Sequence, residues 1–168
     1  MAREMTAGFH AYEEVEEGDW FATPGIVVGE AQILAFAGLS GDFFEIHVDD
    51  AYARGMGFPG RVAHGILGLA LTDGLKNRSE ARFRGVASLS WSWNFRGPIL
   101  IGDRIAATVR VAAKRLTKRP DRGILTLAIT VTNQRGEVVQ DGENLLMVLT
   151  LQGAEALRKE TSPPPPPE

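Results

Sequence analysis

The feature that most constrains the fold is a strict alternation of apolar and polar residues between Ala87 and Phe95. The odd positions of this stretch are Ala, Leu, Trp, Trp and Phe, and the even positions are three serines and an asparagine. Because successive side chains of a β-strand point to opposite faces, the stretch predicts a long strand with one buried and one polar face. Gly97 and Pro98 then end the strand, since glycine permits a turn and proline cannot donate to a ladder.

Three further stretches show strand periodicity, and only short connections separate them. Strands are predicted over about residues 104–113 and 124–132, and a fourth extends past Gly142 to about Leu151 after a turn at residues 134–136. The buried face of the first of these three is expected to carry Ile105, Val109 and Val111. Because such short connections join neighbouring strands in opposite directions, the sequence predicts an antiparallel meander of long strands.

The first half of the chain has helical patterns instead. Residues 30–39 predict a short helix, residues 49–54 another helical turn, and residues 63–76 a helix that is apolar nearly all round and therefore buried. The short helix is expected to turn Ile33, Leu34, Phe36 and Ala37 inward. A buried helix followed by long antiparallel strands favours an α+β fold, in which a curved sheet wraps around one central helix.

Length and composition limit the possible functions. The 168 residues suit a single domain, predicted over residues 1–153, with a tail over residues 154–168 that ends in a proline-rich stretch expected to be flexible and extended. The chain has no cysteine, which excludes disulfides and thiolate chemistry. The net charge of −3 argues against nucleic-acid binding, and no apolar run has the length of a membrane helix. We therefore expect a cytoplasmic protein.

An aspartate and a histidine five residues apart are the first candidates for chemistry. Asp42 follows Ser40 and Gly41 in a predicted loop, and His47 lies further along the same loop. Imidazole both takes and gives a proton near neutral pH, and a nearby carboxylate can orient it or share a water molecule with it. Taken singly, Asp42 could be a turn-forming residue and His47 a structural, hydrogen-bonded histidine. Taken as a pair, they favour acid–base catalysis.

The start of the predicted buried helix is the second candidate. The first amides of a helix lack internal partners and lie at the positive end of the helix dipole. Gly65 has no side chain to keep a ligand from its N–H, so it predicts an oxyanion site for a thioester carbonyl, although close packing also suits a glycine there. His64 is interpreted as mainly structural, helping to fix the mouth of the helix. Zinc-ligand spacing is missing, so no metal site is predicted.

These segments resemble the MaoC-like family of (R)-specific enoyl-thioester hydratases and 3-hydroxyacyl dehydratases. Residues 41–47 are similar to the family's Gly-Asp-x-Asn-Pro-aliphatic-His pattern, with Asp42 and His47 at the places of its aspartate and histidine. His64 and Gly65 match the His-Gly at the start of the family's central helix. Residues 95–103 resemble its Phe-x-x-Pro-aliphatic-Gly-Asp turn, in which Phe95 would lie near the acyl-thioester.

The resemblance implies a hotdog fold and a homodimer or larger homo-oligomer, acting on an acyl-CoA or acyl-carrier-protein thioester. It implies no metal and no redox cofactor, because coenzyme A would be part of the substrate. The implied catalytic residues are Asp42 and His47, and the implied substrate-binding residues are Gly65, His64, Phe44 and Phe95.

One departure from the family pattern bears on the substrate. Phe44 and Glu45 replace the family's Asn-Pro, so we expect a reshaped acyl pocket. Two alternatives stay open at this point. One is a hotdog thioesterase, and the other is a non-catalytic acyl-thioester-binding subunit, for which Phe44 is the best argument.

Overall fold

The computed structural model describes residues 2–161 as eight strands and five α-helices. The short strands are β1 (Gly8–His10), β2 (Trp20–Ala22), β3 (Ile26–Val27) and β4 (Ala81–Phe83). The long strands are β5 (Gly85–Phe95), β6 (Arg104–Leu116), β7 (Arg122–Thr132) and β8 (Val138–Leu149). The helices are α1 (Glu30–Ser40), α2 (Glu45–Val48), α3 (Asp50–Gly55), α4 (Gly65–Arg78) and α5 (Leu151–Thr161).

The predicted antiparallel meander is confirmed for β6, β7 and β8, but the prediction is wrong for β5, which pairs with β8 and not with β6, the next strand in the chain. Its strands lie in the order β2-β6-β7-β8-β5, β3 also pairs with β6, and β1 and β4 form a separate parallel pair. The register places Val109 of β6 opposite Ile129 of β7. Register shifts interrupt β6 after Val111 and β5 between Ser88 and Ser90. Such irregularities bend a strand and increase its twist, as a sheet that curves around a helix requires.

Helix α4 supplies the helical side of the core. Its Leu67 and Leu75 pack in one cluster with Val109, Leu127 and other apolar residues of the three central strands. The predicted burial of this helix is right for one face only. Ile66 is 56% exposed and Ala70 is also exposed, because the sheet of a single chain covers one side of the helix. The inward position predicted for Leu34 of α1 is likewise wrong, since that side chain is 44% exposed.

Strand β5 has the predicted bounds but not the predicted burial. Leu89 and Phe95 of its apolar face are 47% and 55% exposed, while Trp91 and Trp93 are half-buried against the core. The reason is position, because β5 is the last strand of the sheet and pairs with β8 alone. The alternation identifies an apolar face without telling whether the same chain covers it.

The carboxyl-terminal end begins as a helix. Helix α5 crosses the boundary that the sequence predicts between residues 153 and 154, and the proline-rich stretch lies outside the described residues. Among the helices of residues 2–161, none combines the length and the apolar character that crossing a membrane requires.

Candidate active site

Asp42 lies in the turn that follows α1. Gly41 ends that helix with a φ of 77°, a left-handed conformation that glycine adopts without strain. One carboxylate oxygen of Asp42, Oδ1, accepts the N–H of Phe44 at 3.2 Å. The turn-forming interpretation of Asp42 therefore explains the role of its Oδ1 atom but not that of Oδ2. The Asp42 side chain is 51% exposed, and Oδ2 lies 4.0 Å from Nε2 of His64.

His47 lies on the short helix α2 rather than in the predicted loop. Its Nδ1 lies 2.7 Å from the carbonyl oxygen of Val62. Because a carbonyl can only accept, Nδ1 carries the hydrogen, and Nε2 is left with a free lone pair. Burial is the largest cause that lowers the pKa of His47 below its ordinary 6.5, and the neighbouring His64 adds to it; the bond to Val62 and the charge of Asp42 oppose the change. The ring is therefore set up to act as a base near neutral pH.

His64 contacts both Asp42 and His47. Its ring stacks on that of His47, with centroids 3.8 Å apart and planes inclined by 27°. Its Nε2 donates to the backbone carbonyl of Asp42 at 2.8 Å, so one side chain joins the Asp42 turn to the His47 ring. His64 is 2% exposed and does not line the cavity described below. This placement agrees with the structural interpretation of His64, and its predicted part in substrate binding stays a prediction.

The three side chains form a compact group. A carboxylate oxygen of Asp42 and a ring nitrogen each of His47 and His64 lie within 4.8 Å of one another. Two hydrogen bonds of about 2.8 Å each span such a gap, so one water molecule fits between the carboxylate and the imidazole. The absence of a metal stays a prediction.

A cavity of about 440 Å³ opens beside His47 and reaches Gly65 and Phe95. Its other walls are mostly apolar and come from Ile46, Phe58, Val62, Ala63, Ile66, Pro98 and Ile99. Gly65 is the first residue of α4, so its N–H is among those that the helix leaves without an internal partner. A Cβ at this position would lie 2.7 Å from Cε1 of Phe95. Glycine therefore allows the Phe95 ring to pack directly against the start of α4.

Phe44 and Glu45, the two residues that differ from the family pattern, lie beside the Asp42, His47 and His64 side chains. The ring of Phe44 is edge-on to His47 at 6.2 Å and to Tyr52 at 6.0 Å, and it does not line the cavity. Glu45 is the first residue of α2, a position that favours proline and also suits an acidic side chain. The replacement of proline by Glu45 therefore preserves the helix that carries His47.

Sequence reasoning missed Gln140, which lines the same cavity from β8. The side chain is 1% exposed, its Nε2 donates to the carbonyl of Gly65 at 2.9 Å, and its Oε1 accepts the indole N–H of Trp93 at 3.0 Å. The pattern of β8 held a signal, because Gln140 falls in phase with the inward apolar residues Leu146 and Val148.

Comparisons with known proteins identify the family of the chain. The family model of the MaoC like domain matches residues 14–133. An (R)-specific enoyl-CoA hydratase of Aeromonas caviae is 35% identical over 115 residues, which cover 68% of this chain and 82% of that protein. A second (R)-specific enoyl-CoA hydratase, from Rhodospirillum rubrum, is 32% identical over 139 residues, which cover 83% of this chain and 92% of that protein.

Solved structures give the same result. The MaoC-like dehydratase from Rhodospirillum rubrum superposes with a TM-score of 0.77 at 32% identity, covering 84% of this chain and 97% of that one. A Mycobacterium tuberculosis protein with a double hotdog fold superposes with a TM-score of 0.74 over 95% of this chain and 52% of that one; at 19% identity it bears on the fold alone. The chain therefore belongs to the family of MaoC-like domains, has the hotdog fold and is a hydro-lyase.

Proposed function

We propose that this protein adds water across the C2–C3 double bond of a 2-enoyl thioester to give the (R)-3-hydroxyacyl thioester, and catalyses the reverse dehydration. The observation that carries the proposal is the position of His47, which lines the cavity together with the start of α4 and lies close to Asp42. A carboxylate and a neutral imidazole lie close enough to share a water molecule, and free helix amides lie on the same cavity wall as the imidazole. The (R)-specificity is taken from the names of the relatives.

In the proposed hydration, the water lies between Oδ2 of Asp42 and Nε2 of His47. His47 takes one proton from the water as the oxygen bonds to C3, and Asp42 accepts a hydrogen bond from the other O–H, which remains as the C3 hydroxyl. The electron pair of the double bond moves toward the thioester carbonyl, which becomes enolate-like. The proton held by His47 then passes to C2 on the same face, and His47 returns to its neutral form. Dehydration reverses these steps.

The N–H of Gly65 would stabilise the negative charge that develops on the carbonyl oxygen. A donor placed in a cavity with apolar walls acts more strongly than it would in water. The thioester itself acidifies C2, so the proposal needs no metal and no redox cofactor. Coenzyme A would enter as part of the substrate, and an acyl-carrier protein could carry the same acyl group.

The test follows the absorbance of the enoyl-thioester band of crotonyl-CoA. The parental protein should remove this absorbance, while Asp42→Asn and His47→Gln should abolish the change with their circular dichroism spectra intact. His10→Gln and Asp121→Asn are the matched controls, because the His10 side chain bonds to the carbonyl of Thr6, Asp121 lies in the turn before β7, and neither residue lines the cavity. Parental activity in both catalytic variants would refute the assignment.

Two other activities of the same fold give different outcomes in this assay. A thioesterase would direct the water to the carbonyl and release free coenzyme A, which a thiol reagent detects. A non-catalytic binding subunit would bind acyl-CoA without turnover. Either result would replace the proposed function.

We also propose a homodimer that pairs two copies along β5. The free edge of this strand and its exposed Val86 and Leu89 support the proposal, because an uncovered apolar edge favours association. Light scattering should give twice the mass of the chain, and Leu89→Lys should shift the protein toward the monomer. A monomeric parental protein would contradict the pairing. The cytoplasmic location also stays a prediction.

A further inference from the structure

We propose that Gln140 is a positioning residue, which holds the Gly65–Ile66 peptide so that both the Gly65 and the Ile66 N–H groups are set for the thioester oxygen. This inference rests on the proposed function and deepens it. It adds a second donor to the oxyanion site and names the side chain that orients the site.

The carboxamide of Gln140 is bonded at both its nitrogen and its oxygen. Its Nε2 donates to the Gly65 carbonyl at 2.9 Å, and its Oε1 accepts from Nε1 of Trp93 at 3.0 Å. The side chain is 1% exposed. A carboxamide held at both ends in a buried position has one orientation, so the carbonyl that it binds is fixed as well.

The bonded carbonyl belongs to the same peptide unit as the N–H of Ile66. Ile66 is the second residue of α4, so its N–H, like that of Gly65, has no partner inside the helix. Both residues line the cavity. Fixing the Gly65–Ile66 peptide therefore sets the direction of the Ile66 N–H and restricts the backbone of Gly65 at the same time.

The bonds also form a chain that runs in one direction. The Trp93 indole donates to Gln140, Gln140 donates to the Gly65–Ile66 peptide, and the N–H of that peptide is free for the substrate. Hydrogen bonds joined in this way polarise one another, which strengthens the last donor. The end of the chain lies where negative charge develops in the proposed reaction.

The helix leaves space for this arrangement at Gly68. A Cβ at Gly68 would collide with Nε2 of Gln140 and would lie 2.8 Å from Cδ1 of Ile99. The absence of a side chain at Gly68 thus lets the carboxamide reach the first turn of α4. The same strand offers a matched control in Asn144, a fully buried carboxamide on the same face that bonds to Lys76 and to the carbonyl of Ser90, away from the cavity.

The experiment measures the carbonyl directly, with butyryl-CoA carrying ¹³C at the thioester carbon. This saturated ligand has no double bond to hydrate, so its bound state persists during the measurement. In isotope-edited infrared spectra, binding to the parental protein should lower the carbonyl stretching frequency, because the helix amides donate to the oxygen. Gln140→Met should move the bound frequency back toward that of free butyryl-CoA, and Asn144→Leu should leave it at the parental value.

Kinetics with crotonyl-CoA provide the second readout. Gln140→Met should lower kcat about 10-fold with a much smaller change in KM, less than the roughly 100-fold loss expected for a whole oxyanion donor. Gln140→Glu covers the case in which the Met variant does not fold. A buried carboxyl group has a raised pKa, and only its protonated form can donate to Gly65, so the activity of this variant relative to the parent should rise as the pH falls.

The outcomes separate this inference from the proposed function. No frequency shift in the parental protein, or no hydration of crotonyl-CoA, would overturn the proposed function and the inference with it. A parental shift that persists in folded Gln140 variants, with kcat unchanged, would overturn the role of Gln140 alone. An equal loss of the shift in Asn144→Leu would reduce Gln140 to a general packing residue and would also overturn it.

Discussion

Gly65→Ala should cost far more activity than a single methyl group normally does. The new Cβ would lie 2.7, 2.8 and 3.0 Å from three carbon atoms of the Phe95 ring. Non-bonded carbons prefer about 3.5 to 4.0 Å, so the ring or the helix start must move by roughly 1 Å. A displacement of this size at a reacting centre can cost about 100-fold in rate. Because the Phe95 ring is 55% exposed and can move, the free energy of unfolding should fall by less than about 1 kcal/mol.

The assay is a double-mutant cycle with Phe95→Leu, scored by kcat/KM for crotonyl-CoA. With the ring removed, adding the methyl group should cost less than about tenfold, a coupling of at least about 1.4 kcal/mol between the two sites. Gly74→Ala on the same helix is the control, since nothing lies within 4 Å of its Cβ position. It should keep full activity and gain roughly 0.5 to 1 kcal/mol of stability. An equal cost of Gly65→Ala with and without the Phe95 ring would refute the steric argument.

Three further predictions concern pH and stability. Because burial lowers the pKa of His47 below its ordinary 6.5, the acid limb of kcat/KM should have its midpoint below pH 6.5. The free energy of unfolding should also fall as the pH drops through 6.5 toward the pKa of the folded state, since the unfolded chain binds that proton first, and His47→Gln should remove this part of the pH dependence of stability. Asp103→Ala should lower the free energy of unfolding, measured in urea titrations, by about 1 to 3 kcal/mol, because three donors lose their acceptor: the N–H of Leu100 and the side chains of Arg135 and Gln134. As a control, Glu155→Ala, which removes an exposed ion pair, should lower it by at most about 1 kcal/mol. Leu125→Ala should cost about 2.5 to 5 kcal/mol because the side chain is fully buried, and Leu39→Ala, at 85% exposure, less than about 0.5 kcal/mol; similar costs would contradict the assigned core.

The long strands could be predicted because their periodicity is local. Ile105, Val109 and Val111 alternate with polar residues, and each lies on the buried face of β6. The parallel pair β1 and β4 could not be predicted, since strands of three residues are too short to show a period. The exposure of Leu89 could not be predicted either, because it depends on which strand ends the sheet.

The candidate site was predictable in its residue types but not in its contacts. The pattern of residues 41–47 identified Asp42 and His47, and the structure brings them together. His64 stacks on His47 although the two residues are 17 positions apart in the sequence (64 − 47), and a periodic pattern cannot predict such a contact. Gln140 lies 75 residues from the helix start that it supports, so its role became visible only once β8 was folded against α4.

The most direct test of the central claim follows the oxygen of the water. Crotonyl-CoA is incubated with the protein in H₂¹⁸O, and the products are analysed by mass spectrometry and by chiral chromatography of the hydroxy acid. The account predicts one ¹⁸O atom in the C3 hydroxyl of an intact (R)-3-hydroxybutyryl thioester, with the label lost in Asp42→Asn and His47→Gln. Label in the carboxylate of a free acid, with release of coenzyme A, would contradict it.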